Sequence, residues 1–264
     1  MRALGAAGQG QSNRACAGRV LHALATDVKI SLSAPDAWQL RRQKIPNAKG
    51  LEMAATVAER AYALLKERII TTRMKPGTLI HETALVSDLG LGRTPVREAL
   101  KRLEAERLVV VLPRRGMYVS EITLAELREL EEVRVSLESL SARLAVQRIT
   151  RRQIAEFERL LGELGAGRDG SEHATKQSLK TDRRLHELVW KASHNTLLEA
   201  ECARLFNLSL RMWYLLIDRL EPSDLHEDVF AELLSAIRDN DQKRAEDAMQ
   251  AHILLFGASV RRHL

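Results

Sequence analysis

The chain is short of cysteine, of aromatic side chains and of long apolar runs, and each shortage closes off a class of protein. Cys16 and Cys202 are the only cysteines. Two so far apart build no disulfide framework, and the first thirty residues hold no compact apolar block of the signal-peptide kind. A secreted, disulfide-stapled domain is therefore excluded, and a reducing, cytoplasmic setting is expected. The longest apolar stretch is the handful of residues around Leu108 to Leu112, against the roughly 18 needed to cross a bilayer, so no membrane span is expected. Aromatics make up only 4% of the 264 residues, while Leu, Ala, Arg and Glu recur at helical spacings. That combination excludes a large β-sandwich and predicts a mostly α protein. A 45% apolar share suffices for a sizeable core and, at about 100–200 residues per domain, points to two domains.

Acidic residues are scarce in one place. Residues 1–50 carry eight Lys and Arg against two Asp, a net of +6 that equals the net charge of the whole chain. Residues 53–121 hold twelve basic and eight acidic side chains, residues 122–264 twenty-one and twenty-four. The middle segment suits a polyanion and the last does not. Residues 1–52, rich in Gly, Ala, Ser, Gln and Arg and without sustained periodicity, are expected to be a disordered basic extension. It either adds non-specific DNA affinity or is a solvated tail ahead of a start at Met53.

From Ala54 to Thr72, the residues Val57, Ala61, Leu64, Leu65 and Ile69 mark an amphipathic helix that ends before the turn Met74-Lys75-Pro76-Gly77. Glu82 to Leu89 predicts a short second helix and Gly90-Leu91-Gly92 a tight break. Thr94-Pro95 opens a third helix, with Thr94 as N-cap and Pro95 at the first helical position, where its missing N–H does no harm. The β-branched run to Leu112, the turn Pro113-Arg114-Arg115-Gly116 and the run Met117-Tyr118-Val119 predict a hairpin.

Residues 53–121 thus predict a winged helix-turn-helix whose second helix is of a length that fits the major groove of double-stranded DNA. Arg93, Thr94 and Arg97 stand at its N-terminal turn, where a recognition helix meets base edges. Arginine suits the two acceptors of guanine, and threonine reaches phosphate or the methyl of thymine. Lys101 and Arg102 extend the basic face, and Arg115 beside Gly116 lies against the backbone or in the minor groove. Taken singly, Arg97 and Lys101 are also what solvated partners of Glu98 and Glu104 look like. Turn, cap and wing in register decide for DNA.

Beyond the hairpin every segment is helical. Capping boxes at Thr123 to Glu126 and Thr150 to Gln153 start the first two helices. After a loop from Gly165 to Gly170, further helices are predicted at 172–193, 195–219, 223–239 and 241–262, with Asn195, Ser223 and Asp241 as N-caps. Residues 122–264 are expected to form an all-helical bundle for effector binding and dimerisation.

The stretch LIHETALVSDLGLGRTPVREALKRLEAERLVVVLPRRGMYV resembles the DNA-binding domain of the GntR family of bacterial transcription regulators. The resemblance implies DNA contacts from Arg93, Thr94, Arg97 and the wing pair Arg115 and Gly116. Thr83 stands where many members carry an arginine, and Gly92 replaces a common serine or threonine. The helical half is similar to the FCD type of effector domain, in the branch that includes the fatty-acid regulator. In many FCD members a divalent metal is bound at positions that here hold Asp182 and His186, in TDRRLHELVWKASHN, and His252, in AMQAHI. A further family histidine falls on Phe230, and His226, one turn earlier, is the alternative donor.

Asp182 and His186 are four apart and share a helical face, a spacing that by itself fits a surface pair as well as two ligands. Imidazole and carboxylate donors without cysteine suit Zn²⁺, Ni²⁺ or Mn²⁺ without choosing among them. One Asp and two neutral His leave such a centre at net +1 with open positions, which attracts a small carboxylate effector. Arg134 matches a position from which an arginine approaches an acidic effector, and equally fits a surface partner of Glu131 or Glu138. His22, His81, His173, His194 and His263 show no partner spacing.

Two other functions fit parts of this pattern. A metal-dependent hydrolase would use Asp182, His186 and His252, but Glu187 points off the ligand face and supplies no general base, and the DNA-binding half stays unexplained. A metal-free regulator would bind an acyl or aromatic ligand among residues such as Trp190, Trp213 and Phe230, side chains that suit an ordinary core better. The expected protein is therefore not an enzyme. It is a cytoplasmic, homodimeric transcription regulator in which a small organic acid changes the relative placement of two winged heads.

Overall fold

Helix α1 (Ala48–Ile70) begins six residues ahead of the predicted one, inside the segment assigned to the basic extension. The computed structural model describes residues 48–166, 172–220, 224 and 227–263. The disorder expected of residues 1–47, the cap expected at Ser223 and the donor His226 lie outside the described residues. Helix α2 (Glu82–Leu89) ends at Gly90, whose φ of 63° is in the left-handed region and lets its N–H return to the carbonyls of Val86 and Ser87. Helix α3 (Arg93–Ala105) follows. Its N-cap is Gly92, not Thr94: Gly92 is already extended, at φ −68° and ψ 162°, so Thr94 and Pro95 fall inside the first turn. No side chain caps this helix, and Pro95 there forfeits only an N–H that has no intrahelical partner.

Strands β1 (Val109–Leu112) and β2 (Gly116–Val119) pair antiparallel, from Val109 opposite Val119 to Leu112 opposite Gly116. Leu79 adds a bridge to Tyr118 that the sequence pattern did not announce. Helix α4 (Leu124–Arg148) starts where Thr123 accepts from the Glu126 N–H at 3.1 Å, and α5 (Arg151–Ala166) where Thr150 accepts from the Gln153 N–H at 3.3 Å. The second box is complete, since the Thr150 N–H donates back to Gln153 Oε1 at 2.9 Å, whereas at Thr123 the N-cap bond alone is formed among the described residues. Helix α6 (Glu172–Ala192) is followed by α7 (Thr196–Leu215), which Asn195 caps and which stops four residues short of the prediction, in a 3₁₀ turn. Helices α8 (Glu227–Arg238) and α9 (Gln242–His263) complete the bundle, the latter capped by Asp241.

The central element is α4, which lies along α9 and also packs on α6 and α7. Gly257 allows the close approach of α9: a Cβ there would fall on the Glu131 carboxylate, which Arg261 holds at 2.9 Å. One apolar cluster fills the space between α4, α5, α6, α8 and α9. A second runs from Leu65, Leu100 and Leu108 of the head through Leu127 to Leu205, Leu208, Met212 and Trp213 of α7. Each fully buried large apolar side chain contributes about 1.5–3 kcal/mol to the fold, and this cluster is continuous from the head into the bundle. The architecture is thus mostly α, a winged helix-turn-helix followed by an all-helical bundle. Among the described residues no helix is long and apolar enough to cross a membrane.

Candidate functional site

In the head, α3 buries Val96, Ala99, Leu100 and Leu103. Arg93, Thr94, Arg97 and Lys101 therefore share the opposite face, and all four are exposed, as are Arg115 and Gly116 at the wing tip. Arg97 donates through Nε to Glu82 at 2.6 Å rather than to Glu98. Both partners of that pair are open to water, so it exchanges readily for a phosphate or a base edge. Arg102 does not extend the basic face. Its guanidinium lies 3.7 Å from the Tyr62 ring centroid and bonds Glu59, which spends it on the α1–α3 contact.

In the bundle, Asp182 and His186 of α6 meet His252 of α9, all three buried, with one ligand atom from each within 4.8 Å of the others. The two Nε2 atoms are 3.0 Å apart, and His252 Nε2 is 3.4 Å from Asp182 Oδ1. Two donors each about 2.0–2.1 Å from one ion, at angles of about 90–110°, lie about 2.9–3.4 Å apart. The two separations from His252 meet this and the third, His186 Nε2 to Asp182 Oδ2, is wider at 3.9 Å, so the donor types suit a divalent metal and the Asp182 carboxylate would have to draw in to close on it. His186 Nδ1 sits 2.7 Å from Glu138 Oε2, and because that carboxylate only accepts, Nδ1 carries the proton and Nε2 presents its lone pair to the centre. Burial would push the Glu138 carboxyl up, but Arg134 and His186 beside it outweigh burial and hold it at about 2. Burial also opposes the charge on Asp182, and the neighbouring His186 and His252 outweigh it, so the carboxylate stays ionised. Burial lowers His252 and keeps it neutral, as a ligand must be. Its Nδ1 has no hydrogen-bond partner among the described residues, so nothing but its neighbours orients that ring.

Phe230 stands beside this centre, its ring centroid 4.4 Å from that of His252 and 5.4 Å from that of His186. The position that aligned with a family histidine thus abuts the two imidazoles but offers no donor. Arg134 is not a surface partner of an acid: it is buried, and its Nε donates to Glu138 at 2.6 Å. Arg134 lines the same small cavity as Asp182, His186 and His252, whose volume of about 10 Å³ is room for one water or one ion. Its guanidinium is flanked by the Phe206 and Phe256 rings at 5.1 and 5.5 Å.

Glu138 escapes a reading by spacing, because its partners Arg134, His186 and Trp190 come from two helices; the sole sequence signal is the i, i+4 pair with Arg134. His263, for which spacing predicts no partner, has its Nε2 2.8 Å from buried Asp224. Glu187 is engaged by Arg183 at 2.9 Å, away from the centre.

The description "Bacterial regulatory proteins, gntR family" matches residues 57–119, and "FCD domain" matches residues 129–255. The HTH-type transcriptional repressor RspR of Escherichia coli is 26% identical over 205 residues, spanning 78% of this chain and 89% of that protein. The HTH-type transcriptional regulator McbR of the same species is 28% identical over 68% of this chain and 81% of its own length. With the HTH-type transcriptional regulator YdhC of Bacillus subtilis the identity is 30%, over 51% of this chain and 59% of that one. Among solved structures, E. coli McbR/YncC superposes with a TM-score of 0.68 at 23% identity, covering 78% of this chain and 97% of that chain. A GntR regulator from Rhodococcus sp. RHA1 gives 0.65 at 18%, covering 79% and 99%. At such identities the superpositions speak to the fold.

Proposed function

From the premise that this chain belongs to the GntR family of bacterial regulatory proteins, its head joined to an FCD domain, we propose that a small organic acid, bound at a divalent metal in the bundle, sets its hold on DNA. It is a DNA-binding transcription regulator of the GntR and FCD type. The reading of its control rests on one observation. The Nε2 atoms of His186 and His252 converge with the Asp182 carboxylate in a cavity that Arg134 also lines. When bound, the metal would supply positive charge and open coordination positions for a carboxylate. Asp182, His186 and His252 would hold it, Glu138 would fix the His186 tautomer, and Arg134 would meet the acid's other oxygens. Zn²⁺, Ni²⁺ and Mn²⁺ all suit the donors.

Residues 53–121 serve as the DNA-binding head and 122–264 as the effector and dimerisation part. The protein acts in the cytoplasm as a homodimer, since two winged heads match the two half-sites of a palindromic operator. In the head, Arg93, Thr94, Arg97, Lys101, Arg115 and Gly116 make the DNA contacts. Replacing Arg97 with Ala is expected to weaken specific binding about 5- to 150-fold, the worth of one bidentate base contact, and Lys101→Ala to weaken it less and more uniformly across sequences. Fluorescence anisotropy on a duplex that the parent selects from a random library checks both. Parent-like affinity for Arg97→Ala would remove it from the interface.

For the centre, Phe230→His is expected to tighten metal retention by about 10-fold or more, the scale on which single partners of a metal site count. Competition titration with a chromogenic chelator measures this. Unchanged affinity would mean that α8 does not carry a ring nitrogen to the ion. If the parent holds no metal by elemental analysis yet answers an organic acid, the metal-free apolar pocket is the better reading.

A further inference from the structure

Arg211 is fully buried on α7, yet among the described residues it pairs with no carboxylate, and its Nε has no acceptor. Its two Nη groups both go to one residue of the head: Nη1 donates to Ser120 Oγ at 2.7 Å and Nη2 to the Ser120 carbonyl. Glu126 and Glu121 lie near enough to offset its charge only in part, and burial still weakens its hold on the proton. A buried cation left so incompletely paired is costly unless its few contacts stay in place.

Ser120 is a junction. It follows β2 directly, its N–H donates to the Leu108 carbonyl at 3.1 Å, and its hydroxyl donates to the Arg107 carbonyl at 2.7 Å. Arg107 has a φ of 63° and sets the angle at which the chain leaves α3 for β1. One serine therefore ties the exit of the helix that carries Arg93 and Arg97, the base of the wing and the link into α4.

The other face of α7 is the wall of the Asp182, His186 and His252 cavity, to which it gives Phe206, Ser209, Leu210 and Trp213. The remaining walls are α4, α6 and α9, joined through Arg134, Glu138 and the histidines, and Asp224, which Arg262 and His263 tie to α9. A cavity of about 10 Å³ admits no organic acid until a wall gives way. The helical wall that no side-chain hydrogen bond ties to the others, among the described residues, is α7, whose Ser209 bonds only Leu205 of its own helix. We propose that Arg211, seated on Ser120, is the contact through which the DNA-binding head reads the position of α7, and hence the filling of the cavity. Arg211 is a positioning residue in this device. The proposal rests on the reading of the cavity as the effector site and extends it to the route of regulation.

The test needs no effector. Ser209→Leu builds an occupant into the cavity from α7 itself, with Ser209→Val as the milder form should the first not fold. Affinity for the library-selected duplex is measured by anisotropy for the full-length parent, Ser209→Leu, Arg211→Met and the double variant. The wall substitution is expected to change affinity at least about 5-fold in the parent background, the lower end of ordinary coupling between sites. In the Arg211→Met background the change is expected to shrink to within about 2-fold, the behaviour of uncoupled positions. Ser120→Ala, which removes the other end of the contact, is expected to do the same. A merely structural Arg211 would move stability or basal affinity and leave that ratio intact. Equal factors in both backgrounds, or no effect of the wall substitution in the parent, overturn the proposal. Elemental analysis of the same proteins reports on the metal separately, so a metal-free parent counts against the metal reading while the cycle still decides the contact.

Discussion

A His252→Ala protein is expected to keep no stoichiometric divalent metal through dialysis and to stop answering a small organic acid, while its metal-free form binds DNA within about 2-fold of the parent. Asp182 and His186 both stand on α6, so His252 is the donor that joins α6 to α9. Without it two ligands from one helix remain. Losing even an outer partner of a ligand typically costs 10–100-fold in metal affinity, so the loss of a ligand is expected to exceed about 100-fold. The change strands no partner of Nδ1 but removes the Nε2 contacts to His186 and Asp182, so far-ultraviolet circular dichroism of the variant is taken alongside its DNA binding. No proposed ligand belongs to the head, which is why metal-free DNA binding should survive. Dialysed protein is compared with the parent by elemental analysis, and anisotropy is repeated with and without metal and a panel of small carboxylic acids. A His252→Ala protein that still holds metal one to one would show that the centre is elsewhere. One that loses the metal and still responds would separate the effector from it.

The head was legible almost residue by residue because its signals are local. A glycine break, a short helix between two turns and a β-branched run closed by Arg-Gly each fix backbone geometry within a few residues. What failed there was also local. Thr94 looked like a cap because Thr commonly is one, but Gly92 reaches the extended conformation first and needs no side chain to do so. Arg102 looked like part of the basic face because helical spacing cannot tell that Tyr62 offers a ring to stack on.

The bundle was legible in its helices and in the Asp182, His186 and His252 set, for which the resemblance supplied what spacing alone left open. The part that was not legible is the buried stripe of α4. A core-facing stripe normally reads as apolar, but here its middle is Arg134, Glu138, Ser139 and Ser141. These residues look solvent-facing on a helical wheel, but α6 brings partners for Glu138 from 48 and 52 positions away and for Ser141 from 48, and Arg134 is buried with Glu138. Burial of polar side chains is decided by tertiary partners, and no periodicity encodes those.

Glu138→Ala is accordingly expected to be the most destabilising single change in the bundle, at about 3–5 kcal/mol, the range for removing one partner of a buried ion pair. The carboxylate is 0% exposed and accepts from Arg134 Nε at 2.6 Å, His186 Nδ1 at 2.7 Å and Trp190 Nε1 at 3.1 Å. Removing it strands the Arg134 guanidinium in a site with no other carboxylate bonded to it among the described residues. Glu138→Gln keeps an acceptor for Arg134 and should be milder. Replacing both charges, as Arg134→Met with Glu138→Leu, should recover the part of the loss that comes from the stranded cation, while His186 Nδ1 and Trp190 Nε1 stay without their acceptor. Urea unfolding in the presence of a chelator, followed by far-ultraviolet circular dichroism, measures all three without a contribution from metal. The expected order is parent, double variant, Gln, Ala. A loss below about 1 kcal/mol for Glu138→Ala would place Arg134 in contact with water. The order matters for function because Glu138 is the one group that both holds the buried arginine and fixes the His186 proton. The Gln variant, free to accept or donate, should therefore lose about 10–100-fold in metal affinity even where it still folds.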